Sequence, residues 1–141
     1  MNLSMQHYGS VVNALRRVAE DGSSDKRQHT RMHVQAKILV AQLQESRVTR
    51  VSSALTQDIS FGGIGLLHYS LVERGHLFIA RLPCDAGEVH LVCRAVFSKA
   101  IAEGFFAVGA EFQDEAAPEL VEQLVRFEQT EMDRIRQSIL N

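Results

Sequence analysis

Between residues 32 and 112 the chain runs in short strand-like stretches separated by turn signals. This succession constrains the fold more than any other feature. The stretches are 32–43, 47–52 with 54–56, 76–82, 89–97 and 105–112. Turn-rich segments lie between them, at 58–67 (with Gly62, Gly63 and Gly65) and at 83–87 (from Pro83 to Gly87). Several short strands at this spacing predict a sandwich or a small barrel. No alternation of strands with helices is present, so a parallel sheet is excluded, and no internal repeat is visible.

A helical pattern flanks the strands on each side. Near the start, Val11, Leu15 and Val18 are spaced i, i+4, i+7, with Val12 and Ala19 beside them. Ser10 is the expected N-cap, Gly22 the expected stop, and Gly22-Ser23-Ser24-Asp25 reads as a joint. At the other end residues 114–140 read as a helix, with Asp114 as cap and Pro118 in its first turn. Val121, Leu124, Val125, Met132, Ile135 and Ile139 form its apolar stripe. The expected organisation is an extension at 1–24, a β-barrel at 25–117 and a C-terminal helix at 118–141. The far end of that helix is long enough to pair with another subunit, giving a homo-oligomer.

Composition narrows the function classes. The 141 residues carry 15 Lys+Arg against 17 Asp+Glu, a net charge of −2. That balance argues against a protein that coats long nucleic acid. The absence of Trp argues against a broad base-stacking platform. No apolar run reaches the length of a membrane span, and the N-terminus lacks a secretory pattern. Cys84 and Cys93 have no zinc spacing, so two reduced thiols in a cytoplasmic protein are expected, with a disulfide only if a hairpin joins them. One local bias stands out. Over 25–47, Lys26, Arg27, Arg31, Lys37 and Arg47 face only Asp25 and Glu45.

Two short patterns carry the chemistry: Arg27-x-x-x-Arg31, then Asp58-x-Ser60-x-x-Gly63. Arginine forks offer paired N–H donors to phosphate or to guanine O6 and N7, and their flat faces stack on purines. Four residues apart on an extended segment, Arg27 and Arg31 point to one side. Asp58 can accept the N–H groups of a guanine Watson–Crick edge, and Ser60 adds a hydroxyl that donates and accepts. Gly63 permits a backbone approach that a Cβ would obstruct.

These patterns, followed by Val108-Gly109-Ala110-Glu111-Phe112 before a terminal helix, resemble a PilZ domain over residues 25–130. The resemblance implies a small antiparallel β-barrel with a C-terminal helix. It also implies a bacterial receptor for the second messenger cyclic di-GMP, held by Arg27, Arg31, Asp58, Ser60 and Gly63. Motility, adhesion and exopolysaccharide output are the processes it suggests, through an unidentified downstream protein. Lys26, Gly62, Phe97 and Lys99 are further candidate contacts. Lys26 contacts a second stacked ligand or is solvated, and Phe97 borders the ligand or packs in the core. The ligand is bound and not turned over, and no cofactor or metal is expected.

Other readings weigh less. His29 and His33 are four apart but have no third metal ligand nearby. Asp58, Ser60 and His68 are the residue types of a hydrolase triad but lack a nucleophile elbow. Without the nucleotide, the same barrel would serve as a protein–protein adaptor, docking through either helix.

Overall fold

The computed structural model describes residues 1–19, 32–33, 35–102 and 104–140. Lys26, Arg27, His29, Arg31 and the joint at 22–25 lie outside the described residues. The elements are α1 (Met5–Ala19), β1 (Met32–His33), β2 (Lys37–Gln44), β3 (Arg47–Ile59), β4 (Gly63–His68), β5 (Leu77–Cys84), β6 (Gly87–Ala102), β7 (Phe105–Glu115) and α2 (Pro118–Leu140). The strands form one antiparallel sheet in the order β1-β3-β2-β5-β6-β7-β4, and β3 also pairs with β4. That last pairing closes β2 to β7 into a six-stranded barrel, with β1 as a two-residue addition at the end of β3. Closure removes the open edges that a sheet of this size would otherwise expose.

The segment at 47–59 is one strand of 13 residues, rather than two weak pieces. It turns back at Glu45 and Ser46, both at positive φ (51° and 62°), as a two-residue hairpin requires. The glycine-rich stretch expected to be a turn holds only three turn residues, between the end of β3 and the start of β4.

Ile38, Val40, Ile59, Leu66, Phe78, Leu82, Leu91 and Phe112 fill the interior. They alternate with outward residues, as a closed sheet demands. α1 adds Val11 and Leu15 to the same cluster, both fully buried. Its first residue is Met5, and its cap is Ser4, whose Oγ accepts the His7 N–H at 3.1 Å. The expected cap, Ser10, lies inside the helix, where its Oγ accepts the Asp85 N–H at 2.8 Å. The exposed first turn of α1 has no apolar periodicity to mark it.

α2 begins at Pro118, whose missing N–H costs nothing in a first turn. Asp114 still belongs to β7, and its Oδ1 accepts the Glu115 N–H at 2.8 Å. α2 lies on the outside of the barrel. Its Leu124 is fully buried, and Leu120, Val121 and Phe127 join it on Ala41, Leu43, Val48 and Ile79. Gln123 Oε1 accepts the Val48 N–H. Arg81 grips both carboxylate oxygens of Glu128, with Nη1 to Oε2 at 3.0 Å, and its Nε donates to His90 Nε2 at 3.0 Å. The β5–β6 hairpin does not join the cysteines: Cys84 is opposite Gly87 and Cys93 opposite Phe78. Both are free, and burial pushes the Cys93 thiol up to about 12.

The Arg81 contact fixes His90 as neutral, because its Nε2 must offer a lone pair. Burial, and then the Arg81 charge, hold His90 below its ordinary 6.5. The folded state therefore binds fewer protons at this site than the unfolded chain. The resulting stability is present above 6.5 and is lost as pH falls through and below that value. His90→Gln keeps an acceptor for Arg81 and removes the titration. Urea midpoints measured between about pH 7 and pH 5 should fall less steeply in this variant than in the parent.

Candidate functional site

The Asp58-x-Ser60-x-x-Gly63 motif spans the end of β3, the turn and the start of β4. Ser60 shapes that turn: its N–H donates to the Gly63 carbonyl at 2.9 Å, and its Oγ donates to the same oxygen at 3.4 Å. Gly63 sits so close to the Ala110 carbonyl of β7 that a Cβ would overlap it. Gly62 is turned to the other side, where a Cβ would meet Asn2 Oδ1 at 2.9 Å.

Three elements hold the turn. The Phe112 N–H donates to the Gly62 carbonyl at 2.8 Å, and the Leu3 N–H donates to the Phe61 carbonyl at 2.7 Å. The Tyr8 ring of α1 stacks on Phe61 with centroids 4.3 Å apart, and its hydroxyl donates to the Ile59 carbonyl at 3.3 Å. Burial, opposed by Arg16, pushes the Tyr8 hydroxyl above its ordinary 10.0.

Asp58 faces outward, and the register across four strands defines its surroundings. Asp58 of β3 is opposite Gly65 of β4, Gly65 is opposite Gly109 of β7, and Gly109 is opposite Phe97 of β6. Residues directly opposite share a face of the sheet, so these four form one row across the barrel wall. The two middle positions have no side chain. Asp58 leans over the first: a Cβ at Gly65 would meet its Oδ1 at 2.6 Å. Phe97 leans over the second: a Cβ at Gly109 would overlap its ring, 2.1 Å from Cε1. The carboxylate and the aromatic ring thus come within about one strand spacing of each other, roughly 5 Å, on a flat glycine floor.

Neighbouring rows frame this floor. On one side Gly63 is opposite Glu111, which is opposite Arg94. Arg94 pairs with Glu111, with Nε to Oε1 at 3.1 Å, and holds that carboxyl below its ordinary range. On the other side Leu67, Ala107 and Lys99 are aligned, with Lys99 exposed. β1 pairs Met32 with Ile59 and His33 with Asp58, so the chain directly after Arg31 runs beside Asp58.

Asp58, Ser60, Gly63, Phe97 and Lys99 are therefore gathered around one face, with Gly62 on the back of its turn. Lys26, Arg27 and Arg31 lie outside the described residues. Phe97 is on the outer surface, not in the core. A bulge between Ala95 and Phe97 reverses the alternation that buries Val89, Leu91, Cys93 and Ala95. Sequence reasoning assigned no role to Gly65 or Gly109. The available signal was a glycine two residues past Gly63 and another inside the last strand. The triad reading fails on geometry, because His68 points inward, buried, with Ser52 Oγ 2.8 Å from its Nε2. Among the described residues, no group of three or more His, Cys, Asp or Glu is placed to hold a metal. No described helix is long and apolar enough to cross a membrane.

The fold is a closed six-stranded barrel with one helix at each end, carrying an acidic and aromatic face beside a tight glycine turn. The PilZ domain model matches residues 25–128, and the chain belongs to the PilZ domain family. A solved structure agrees on the fold. That of K. pneumonia MrkH in complex with c-di-GMP matches at a TM-score of 0.50 and 15% identity, over 81% of this chain and 53% of that one. The Bacillus subtilis inhibitor of motility (MotI/DgrA) matches at a TM-score of 0.44 and 18% identity, over 77% and 53%. This chain spans about half the length of either. No curated protein sequence matches it.

The two glycines of β4 should respond differently to a methyl group. Gly63→Ala drives a Cβ into fixed backbone and should cost about 1–3 kcal/mol, as overpacking does. Gly65→Ala meets the movable end of the Asp58 side chain instead and should cost less than Gly63→Ala. Urea titration of both variants measures the difference.

Proposed function

We propose that this chain is a receptor for cyclic di-GMP, bound on the outer face around Asp58 and not turned over. One observation carries the reading. The Asp58 carboxylate and the Phe97 ring lie side by side over Gly65 and Gly109, with the chain after Arg31 paired to the same strand end. A carboxylate next to a flat apolar surface suits guanine: it accepts from N1–H and the N2 amine while the ring system packs on the aromatic face. Adenine lacks those donors and would leave the carboxylate unpaired, which is a strong discrimination.

In this reading Arg27 and Arg31 close over the two phosphates with bidentate contacts. Lys99 adds positive charge from the adjoining row, and Lys26 stands next to Arg27 for the same anion. Ser60 and Gly63 act through the turn they build. Signal passes through that turn: α1 touches Phe61 and Ile59 directly, and the segment joining α1 to β1 carries both arginines. Ligand drawn between the arginines and Asp58 repositions α1 against the turn and changes the surface shown to a downstream protein. Ligand-driven movement of a segment between two packed elements is an established switch type.

Titration calorimetry tests the site. Arg31→Ala and Asp58→Ala each remove a charge-assisted contact of about 1.5–3 kcal/mol, so each should weaken cyclic di-GMP at least about tenfold with the fold intact. Gly65→Ala should weaken it too, by displacing the carboxylate. Unchanged affinity in the first two variants rejects the site.

Thermal shift separates receptor from adaptor. Cyclic di-GMP should raise the melting temperature where GTP and cyclic di-AMP do not, because only a ligand selective for the folded state stabilises it. No shift with any of them supports the adaptor reading. Hydrogen exchange across residues 3–35 should change on ligand addition; identical exchange rejects the relay and leaves binding standing.

A further inference from the structure

α2 is only half seated. Its first part is anchored by Leu124, by the Gln123 contact to Val48 and by the Arg81–Glu128 pair. Beyond Glu128 the helix continues for three turns with Met132 at 55%, Ile135 at 54% and Ile139 at 77% exposure, and Val125 before it at 52%. Together with Glu128, these residues occupy positions 125, 128, 132, 135 and 139. That 3–4 spacing is the a/d seam of a two-stranded coiled coil. Beside the seam lies a groove of about 590 Å³ between the helix and the outer faces of β2 and β3, lined by Leu39, Val51, Ser53, Phe127, Met132 and Ile135.

We propose that this face is the interface between two copies of the chain, paired in parallel through the distal half of α2. Three features of the sequence and structure select a second copy. The seam is self-complementary in its heptad register, with Val125, Met132 and Ile139 at a and Ile135 at d. Glu131 falls at g and Arg136 at the following e, the five-residue offset at which parallel helices place opposite charges across the seam, twice by symmetry. The pairing that Glu131 makes among the described residues is a weak one, to the exposed Arg134 of its own helix at 3.0 Å. Finally, the one charged seam residue, Glu128, is already matched by Arg81, so covering it leaves no unpaired carboxylate. An unrelated partner would gain nothing from the Glu131–Arg136 spacing. Two heptads make a strip only about 20 Å long, whereas a stable interface buries about 800 Å² per partner. The groove wall at Leu39 and Val51 therefore contributes as well. This inference is independent of the nucleotide reading.

Sedimentation of the full chain over a rising concentration series tests it. The mass should move from 15.8 kDa toward twice that value. Met132→Glu and Ile135→Lys, at positions exposed in the single chain, should hold it at one chain while circular dichroism stays unchanged. Glu131→Arg should do the same, and adding Arg136→Glu should restore pairing. In a Cys84→Ser background, Met132→Cys should cross-link to itself under oxidation, as a parallel a position does. A single-chain mass at every concentration overturns the proposal, as does a dimer that Met132→Glu and Ile135→Lys leave intact. Cross-linking only between a Met132→Cys chain and an Ile135→Cys chain overturns the parallel arrangement.

Discussion

Closure of the barrel rests on the approach of β4 to β7, and that approach is possible because Gly63 has no side chain. With Gly63 against the Ala110 carbonyl, β4 pairs with β7 on one edge and with β3 on the other. The turn between β3 and β4 is then the point where strands, N-terminal segment and outer face meet. Phe112 reaches it from β7, Leu3 and Tyr8 reach it from the N-terminal side, and Asp58 lies next to it on the outer face. A single steric allowance thus sets the fold, the docking of α1 and the orientation of the carboxylate.

The two helices use the barrel differently. α1 supplies core, burying Val11 and Leu15 among inward-facing strand residues. α2 covers part of the outer wall through a second, smaller cluster and is fastened by one ion pair in a half-buried setting. Burial of Arg81 opposes its charge, but its hydrogen bond to Glu128 outweighs that and raises its pKa. The clasp falls midway along the helix, so the distal turns project with their apolar stripe uncovered. That division explains why one face of α2 is as buried as the interior while the next is half exposed.

Much of the architecture was legible because period-2 alternation and turn residues depend only on neighbours in the chain. The strands over 76–97 and 105–112, the terminal helix and the Asp58–Gly63 motif were all readable in this way. Boundaries were less so. The exposed start of α1 carries no apolar signal, and dense glycine at 62–65 masks the start of β4 as turn. Phe97 shows the limit most clearly. Strict alternation along β6 places it inward, and only the bulge after Ala95, set by pairing with β7, turns it out beside Asp58.

The sequence by itself determined a mainly-β fold, sandwich or barrel, with flanking helices and the residue types of the Arg27–Arg31 and Asp58–Gly63 patterns, since these follow from local periodicity and side-chain chemistry. Only the tertiary structure decided which residues share the face with Asp58. Gly65, Gly109 and Phe97 are brought there from β4, β7 and β6 by the register of a closed sheet. Register across strands far apart in sequence is fixed by closure, bulges and core packing together, and no local pattern encodes it.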